Sequence, residues 1–115
     1  MAQPMVDIHV RSPGEGISIL DLQGELTGDG EEALSAAHSA AGSRAKTVIL
    51  NLGGVEAIDS AGAGLLIALQ ARARKQGQRL LAYGLNGPCR QAFSLTHLDE
   101  AVGLYADEAE ALGSA

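Results

Sequence analysis

Between Thr47 and Gln76 an apolar run meets an amphipathic one across a short junction, and no other stretch narrows the fold as much. Thr47-Val48-Ile49-Leu50-Asn51-Leu52 is nearly unbroken β-branched and aliphatic sequence, too short for a lone helix and followed by Gly53-Gly54, which predicts a buried strand. Gly53 to Ile58 reads as a six-residue loop. From Ala61 onward Leu65, Leu66, Leu69 and Ala73 recur at helical spacing, with Gln70, Arg72, Arg74 and Lys75 on other faces. Asp59 or Ser60 caps that helix and Gly77 closes it. An acid at its start and three bases in its last turns match the sign of the helix dipole at each end.

The flanking sequence fits around this unit. Val6, Ile8 and Val10 alternate with Asp7, His9 and Arg11, the period of a half-buried strand with His9 on its wet face. Ser12 to Gly16 is turn chemistry and Ile17 to Leu22 a second strand, so the two form an antiparallel hairpin that Gln23-Gly24-Glu25 ends. Asp29 and Glu32 have capping-box spacing for a helix from about Gly30 to Ala40, stopped by Gly42-Ser43. Arg79 to Leu85 is a further strand, and strand, helix, strand within about forty residues makes 47–52 and 79–85 parallel. Asn86 caps and Pro88 starts the next helix, with Cys89, Ala92, Phe93 and Thr96 on one face. A short edge strand at Val102 to Tyr105 follows. Asp107 and Glu110 then offer a second capping box for a helix to Leu112, beyond which Gly113-Ser114-Ala115 frays. The sum is one α/β domain over residues 1–115, its core about 5–112, built on a mixed sheet of four to five strands with helices packed mainly on one side.

Composition excludes several classes of function. A net charge of −6 and a pI near 4.8 oppose nucleic-acid binding, which rests on clustered Lys and Arg, and two Tyr, one Phe and no Trp leave little for bases to stack on. One cysteine, Cys89, cannot form an internal disulfide, no signal peptide is present, and no apolar run reaches membrane-spanning length, so the expected location is the cytoplasm. Cys89 reads as a small buried apolar residue. His9, His38 and His97 read as a wet strand position, a helix surface residue and a helix end, and with one Cys they form no metal spacing. Gly62-Ala63-Gly64 opens like a dinucleotide fingerprint, but Ile67 stands in the third glycine's place. Ser60 as a hydrolase nucleophile would need Gly two residues before it, where Ile58 stands. No cofactor is expected.

The run Val48-Ile49-Leu50-Asn51-Leu52, then Val55, then Ile58-Asp59-Ser60-Ala61-Gly62 and Gly64-Leu65, resembles the STAS domain, the family of bacterial anti-sigma factor antagonists and of the cytoplasmic tails of sulfate transporters. With no membrane span and a native-looking start and end, a transporter tail is not expected. In the antagonists the serine after the aspartate is phosphorylated by the partner kinase, so the resemblance makes Ser60 the phosphoacceptor. On the residues alone, Asp59 and Ser60 as plain caps stand equal to that role. The resemblance also implies a partner surface of Thr27, Asp29, Asp59, Ser60, Ala61, Gly62 and Gly64, and as partner an anti-sigma factor that is itself an ATP-binding serine kinase. Gly62 and Gly64 would leave a bare backbone ledge there, close packing on the sheet being the competing role, more for Gly64 than for Gly62. One departure is that the family often has aspartate after the leucine that follows strand two, where this chain has Leu26-Thr27, with Asp29 two positions on. The alternatives are an accessory STAS subunit on the ATPase of a lipid-transport ABC system, with Ser60 only a cap, and, last, a serine hydrolase.

Overall fold

The alternation from Val6 to Val10 does form a strand, which begins at Asp7. The computed structural model describes residues 6–42 and 44–115, so Met5 and the helix stop at Ser43 lie outside the described residues. β1 (Asp7–Gly14) pairs antiparallel with β2 (Ile17–Leu26), and the turn is confined to Glu15-Gly16, Gly16 taking a φ of +74°. The hairpin is borne out. The stop at Gln23-Gly24-Glu25 is not, because β3 (Thr47–Ile58) pairs with β2 in parallel as far as Leu26↔Ile58.

The same pairing overturns the loop expected over Gly53 to Ile58. Those residues are strand. The glycines act there as space rather than as breaks: a Cβ on Gly54 would come within 2.9 Å of both the Leu22 carbonyl and the Gln23 side chain. Two register shifts between β2 and β3, at Asp21/Gln23 and Gly24/Glu25, take up the mismatch.

After β2 a single 3₁₀ turn (Gly28–Gly30) leads into α1 (Glu31–Ala41). Asp29 lies in that turn and Gly30 is the N-cap with no side-chain hydrogen bond, so the capping box with Glu32 does not form. Beyond β3 come α2 (Ser60–Lys75), β4 (Arg79–Tyr83), α3 (Gly87–Leu95), a short α4 (Leu98–Ala101), β5 (Gly103–Tyr105) and α5 (Glu108–Gly113). Gly77, at φ +72°, closes α2 as expected, and β4 and β5 extend the parallel pairing. The terminal box is half made. Asp107 accepts from the Glu110 N–H, but Glu110 accepts from Ala106 rather than Asp107, and Gly113 is helical rather than frayed.

The sheet has five strands in the order β1-β2-β3-β4-β5. Strand periodicity sorts its side chains into two layers. Leu20, Leu22, Val48, Leu50, Leu52 and Ala82 face α1 to α4, which contribute Leu34, Leu66, Leu69, Cys89, Phe93 and Leu98. Ile19, Ile49, Leu81 and Tyr83 face the other way, toward Ala111 of α5. The α/β architecture with helices mainly on one side is thus found. His38 is a correction: it is buried, its Nε2 2.9 Å from Gln78 Oε1, because it lies four residues after Leu34 and shares that inward stripe. His9 and His97 are exposed, as expected, with His97 at φ +60° before α4.

Candidate functional site

The end of β3 and the start of α2 meet at Asp59. Its backbone is extended, and Oδ1 accepts from the Gly62 N–H at 2.7 Å, the bond of an N-cap. Its own N–H donates to the Leu26 carbonyl at 3.2 Å, which ties the start of α2 to the end of β2. Because Asp59 makes the cap, Ser60 is free of that task, and it stands exposed as the first residue of α2.

Contact with Leu26 decides the roles of the two glycines, and they are exchanged relative to expectation. Gly62 is buried, and a Cβ there would lie 2.0 Å from the Leu26 carbonyl oxygen, so only glycine lets α2 cross the end of β2 this closely. Gly64 is exposed, with nothing within 4 Å of an added Cβ. Gly62 begins the buried stripe that continues through Ala63, Leu66, Leu69 and Ala73. Gly64 lies on the outer face with Ser60, four residues before it, and half-exposed Ile67, three after it.

The 3₁₀ turn abuts this helix start, since a Cβ on Gly28 would be 3.3 Å from that of Ala61. The structure therefore brings Thr27, Asp29, Asp59, Ser60 and Ala61 to one end of the molecule, with Gly62 beneath them and Gly64 one turn along. Thr27 is half-buried and makes no side-chain cap bond, and Asp29 is exposed.

A neighbour that sequence reasoning missed comes from α3. Asn86 caps that helix, accepting from the Cys89 N–H at 2.9 Å, and its amide donates to the carbonyls of Val55 and Glu56, which fixes α3 against the end of β3. Cys89 is buried as expected, and burial pushes its thiol pKa up. Between α2 and α3 lies a groove of about 220 Å³, lined by Ile58, Asp59, Ser60, Ala63, Ala92, Leu95 and Thr96. Leu95 is 74% exposed at its rim. Its only signal in the sequence is a leucine outside the Cys89–Phe93 stripe.

Among the described residues no histidine is hydrogen-bonded to Ser60. His9 sits 3.3 Å from Asp7, His38 is bonded to Gln78, and His97 lies 2.7 Å from Glu100. Among the described residues no group of three or more His, Cys, Asp or Glu is placed to hold a metal ion, and no helix is long and apolar enough to cross a membrane.

The other polar cluster lies on the α5 side of the sheet. Arg11 grips Asp21 with two nitrogens, at 2.5 and 2.9 Å, and reaches Glu108 of α5 at 2.7 Å; Tyr83 donates to the same Glu108 oxygen and Asn51 to Asp21. Hydrogen bonding from Arg11 holds the Asp21 and Glu108 carboxyls below the usual carboxylate range, while burial, then Glu108, pushes Tyr83 up to about 12. These groups satisfy one another and clasp α5 to the sheet.

A family model described as "Mlab, STAS domain" matches residues 8–105. Among solved structures the chain is similar to an anti-sigma factor antagonist from Mycobacterium paratuberculosis, with a TM-score of 0.80 and 25% identity over 95% of this chain and 92% of that one. It is similar also to the antagonist SpoIIAA in its unphosphorylated form (TM-score 0.77, 22% identity, 92% and 93% covered). Bacillus SpoIIAA in the phosphorylated form gives a TM-score of 0.73 at 22% identity, with 94% and 98% covered. No curated protein matches.

Proposed function

The chain belongs to the STAS domain family, and from that premise we propose that it is an anti-sigma factor antagonist, a cytoplasmic binding protein rather than an enzyme, switched by phosphorylation of Ser60. Unphosphorylated, it holds an anti-sigma factor that is an ATP-dependent serine kinase and so frees a sigma factor for transcription. The observation that carries this is Ser60 itself: exposed, relieved of capping by Asp59, and on the rim of an apolar groove. The existence of SpoIIAA, a protein of similar fold, in both phosphorylated and unphosphorylated forms supports it.

A phosphate on Ser60 would stand at the amino terminus of a helix, where free amides and the dipole favour it, so the fold survives. Its charge of about −1.5 to −2 lies beside Asp59 and at the mouth of the groove. A partner that closes on this surface must then strip water from that charge while meeting Asp59 and Asp29 as well, and the complex is lost. Ala61 and Gly64 belong to the surface that the partner covers, and Gly62 supports it from below. Thr27, in the place where the antagonists often have aspartate, is uncharged, which shifts recognition of this loop onto Asp29.

A second role is kept because the matching family model carries the Mlab name: a STAS subunit seated on the ATPase of a lipid-transport ABC system, with the α2 start a constant contact. Affinity capture from the source cells with wild type, Ser60→Ala and Ser60→Asp separates the two. A kinase-type ATPase held by wild type and Ser60→Ala, and weakened about tenfold or more in Ser60→Asp, is the expected result; tenfold is roughly 1.4 kcal/mol. An ABC ATPase held equally by all three replaces the switch with the transporter role.

A further inference from the structure

We propose that the protein pairs with a second copy of itself along the open edge of β1, joining the two five-stranded sheets into one. β1 stands at the end of the strand order, and among the described residues nothing bonds to its outer side. Pro13 and the register break after Arg11 limit the regular part of that edge to residues 7–11. Charged side chains ordinarily keep such an edge from pairing, and Asp7, His9 and Arg11 taken singly fit that role. Their order opposes it.

Two identical strands paired antiparallel are related by a two-fold axis. With the axis at His9, Asp7 stands opposite Arg11 of the second copy and Ile8 opposite its Val10. Opposite charges then meet on the face of the sheet that carries α5, where Arg11 bonds Glu108. Apolar side chains meet on the other face, where Ile8 and Val10 already pack against the core. Moving the axis to Ile8 or Val10 loses the match between Asp7 and Arg11. Arg11 holds Asp21 and Glu108 through Nε and Nη2, and its Nη1 takes no part in those bonds. With one acid and one base, the edge does not share the −6 charge of the chain.

α1 packs over the same edge and supplies a second, independent match. One of its flanks faces the middle of the helix layer, since Ser35 accepts from Arg72 of α2 and His38 is bonded to Gln78. The opposite flank, toward the open edge, carries Ala33, Ala36, Ala37 and Ala40 at i, i+3, i+4 and i+7, and Ala36 and Ala40 are exposed. Paired strands lie only about 5 Å apart, so the two α1 helices must come close across the axis. A flank with no charge and nothing larger than alanine permits that approach, and Glu31 and Glu32 lie off it. Helix propensity accounts for alanines in α1 but not for their gathering on the flank that faces the edge. An extended peptide from another protein would need only the strand. The match of β1 with itself and the bare flank above it favour a second copy. None of Thr27, Asp29, Asp59 and Ser60 lies on β1 or on this flank, so the pairing does not rest on the antagonist role.

Sedimentation equilibrium of the full chain at an ionic strength near physiological, from micromolar to millimolar concentration, tests the pairing. The expected result is a reversible rise in mass from 11.7 kDa toward twice that value. Asp7→Arg and Ala36→Glu should each weaken it by about tenfold, because each change enters twice across the axis. Asp99→Arg on α4 alters the net charge as much as Asp7→Arg and should not weaken it. Mild oxidation reads the register. His9→Cys should give a disulfide-linked dimer, whereas Asp7→Cys, about 13 Å from its copy, should not. The native Cys89 is buried and does not compete. The mass of one chain at every concentration, a dimer that Asp7→Arg and Ala36→Glu leave intact, or equal linking through the two introduced cysteines would overturn the proposal. Retention of the folded circular dichroism spectrum in each variant separates lost pairing from lost structure.

Discussion

On one face of the sheet Phe93, Leu66 and Leu69, drawn from two helices, interlock with Leu20, Leu50 and Leu52 until none has more than 1% of its surface exposed. On the other face the six-residue α5 covers Ile19, Ile49 and Leu81 with little besides Ala111 and Leu112, and is held also by Arg11, Glu108 and Tyr83. The first face is closed by apolar packing, the second partly by polar groups that still touch water. The difference matters because the Ser60 surface is built at the edge of the packed layer. Apart from the Asp59 cap, its geometry is fixed by apolar and backbone contacts that salt weakens little.

The largest effect should come from hollowing the packed face. Phe93→Ala removes a side chain with 0% exposure and should cost about 3–5 kcal/mol, read as a fall in the urea midpoint with little change in slope. A loss under about 1 kcal/mol would mean that this face collapses around the gap, and the contrast between the faces would fail.

Gly62→Ala comes next. Its Cβ meets the backbone of Leu26, which cannot swing aside, so a loss of about 1–3 kcal/mol or more is expected, together with shifted amide signals at Leu26 and Asp59. Gly64→Ala, one half-turn away in open space, should have the opposite sign, stabilising by up to about 1 kcal/mol through helix propensity alone. Equal effects from the two would remove the reason for assigning Gly62 to support and Gly64 to the surface.

Arg11→Gln tests the polar face and should be smallest, under about 1 kcal/mol, since Arg11 and Glu108 are each more than a third exposed. Its signature is in pH rather than size. Asp21 and Glu108 have depressed pKa values in the folded state, so the stability they contribute is present above the ordinary carboxylate range and is lost as pH falls through their folded values. Wild type should therefore lose more stability than Arg11→Gln between neutral pH and about pH 3, measured by denaturant unfolding at each pH.

What could be read from the sequence was what neighbours along the chain decide. The alternation in β1, the apolar run of β3, the Asn86 cap, the closing Gly77 and a cap at Asp59 or Ser60, which the structure gives to Asp59, depend on residues within a turn or two, and all were found. What could not be read depends on which backbone lies opposite. Gly53-Gly54 looks like a break until β2 is laid beside it, and Gly62 looks like a bare ledge until the Leu26 carbonyl is placed against it. His38 looked exposed because its helix has few large apolar residues to mark the inward stripe. The groove beside Ser60 was invisible for a related reason: Leu95 and Ile58 are far apart in sequence and line one groove because α3 packs on β3 through Cys89 and Phe93 and is bonded to it by Asn86.

The order of the strands carries a consequence for how this molecule comes into being. With the sheet running β1-β2-β3-β4-β5, each new strand joins the outer edge of what precedes it, and none must be inserted between two already paired. A chain emerging from the ribosome can therefore assemble its sheet in the order of synthesis. In that order the hairpin would form first, β3 would bring the Asp59-Ser60 corner against it, and the short β5 with its clasping helix would dock last.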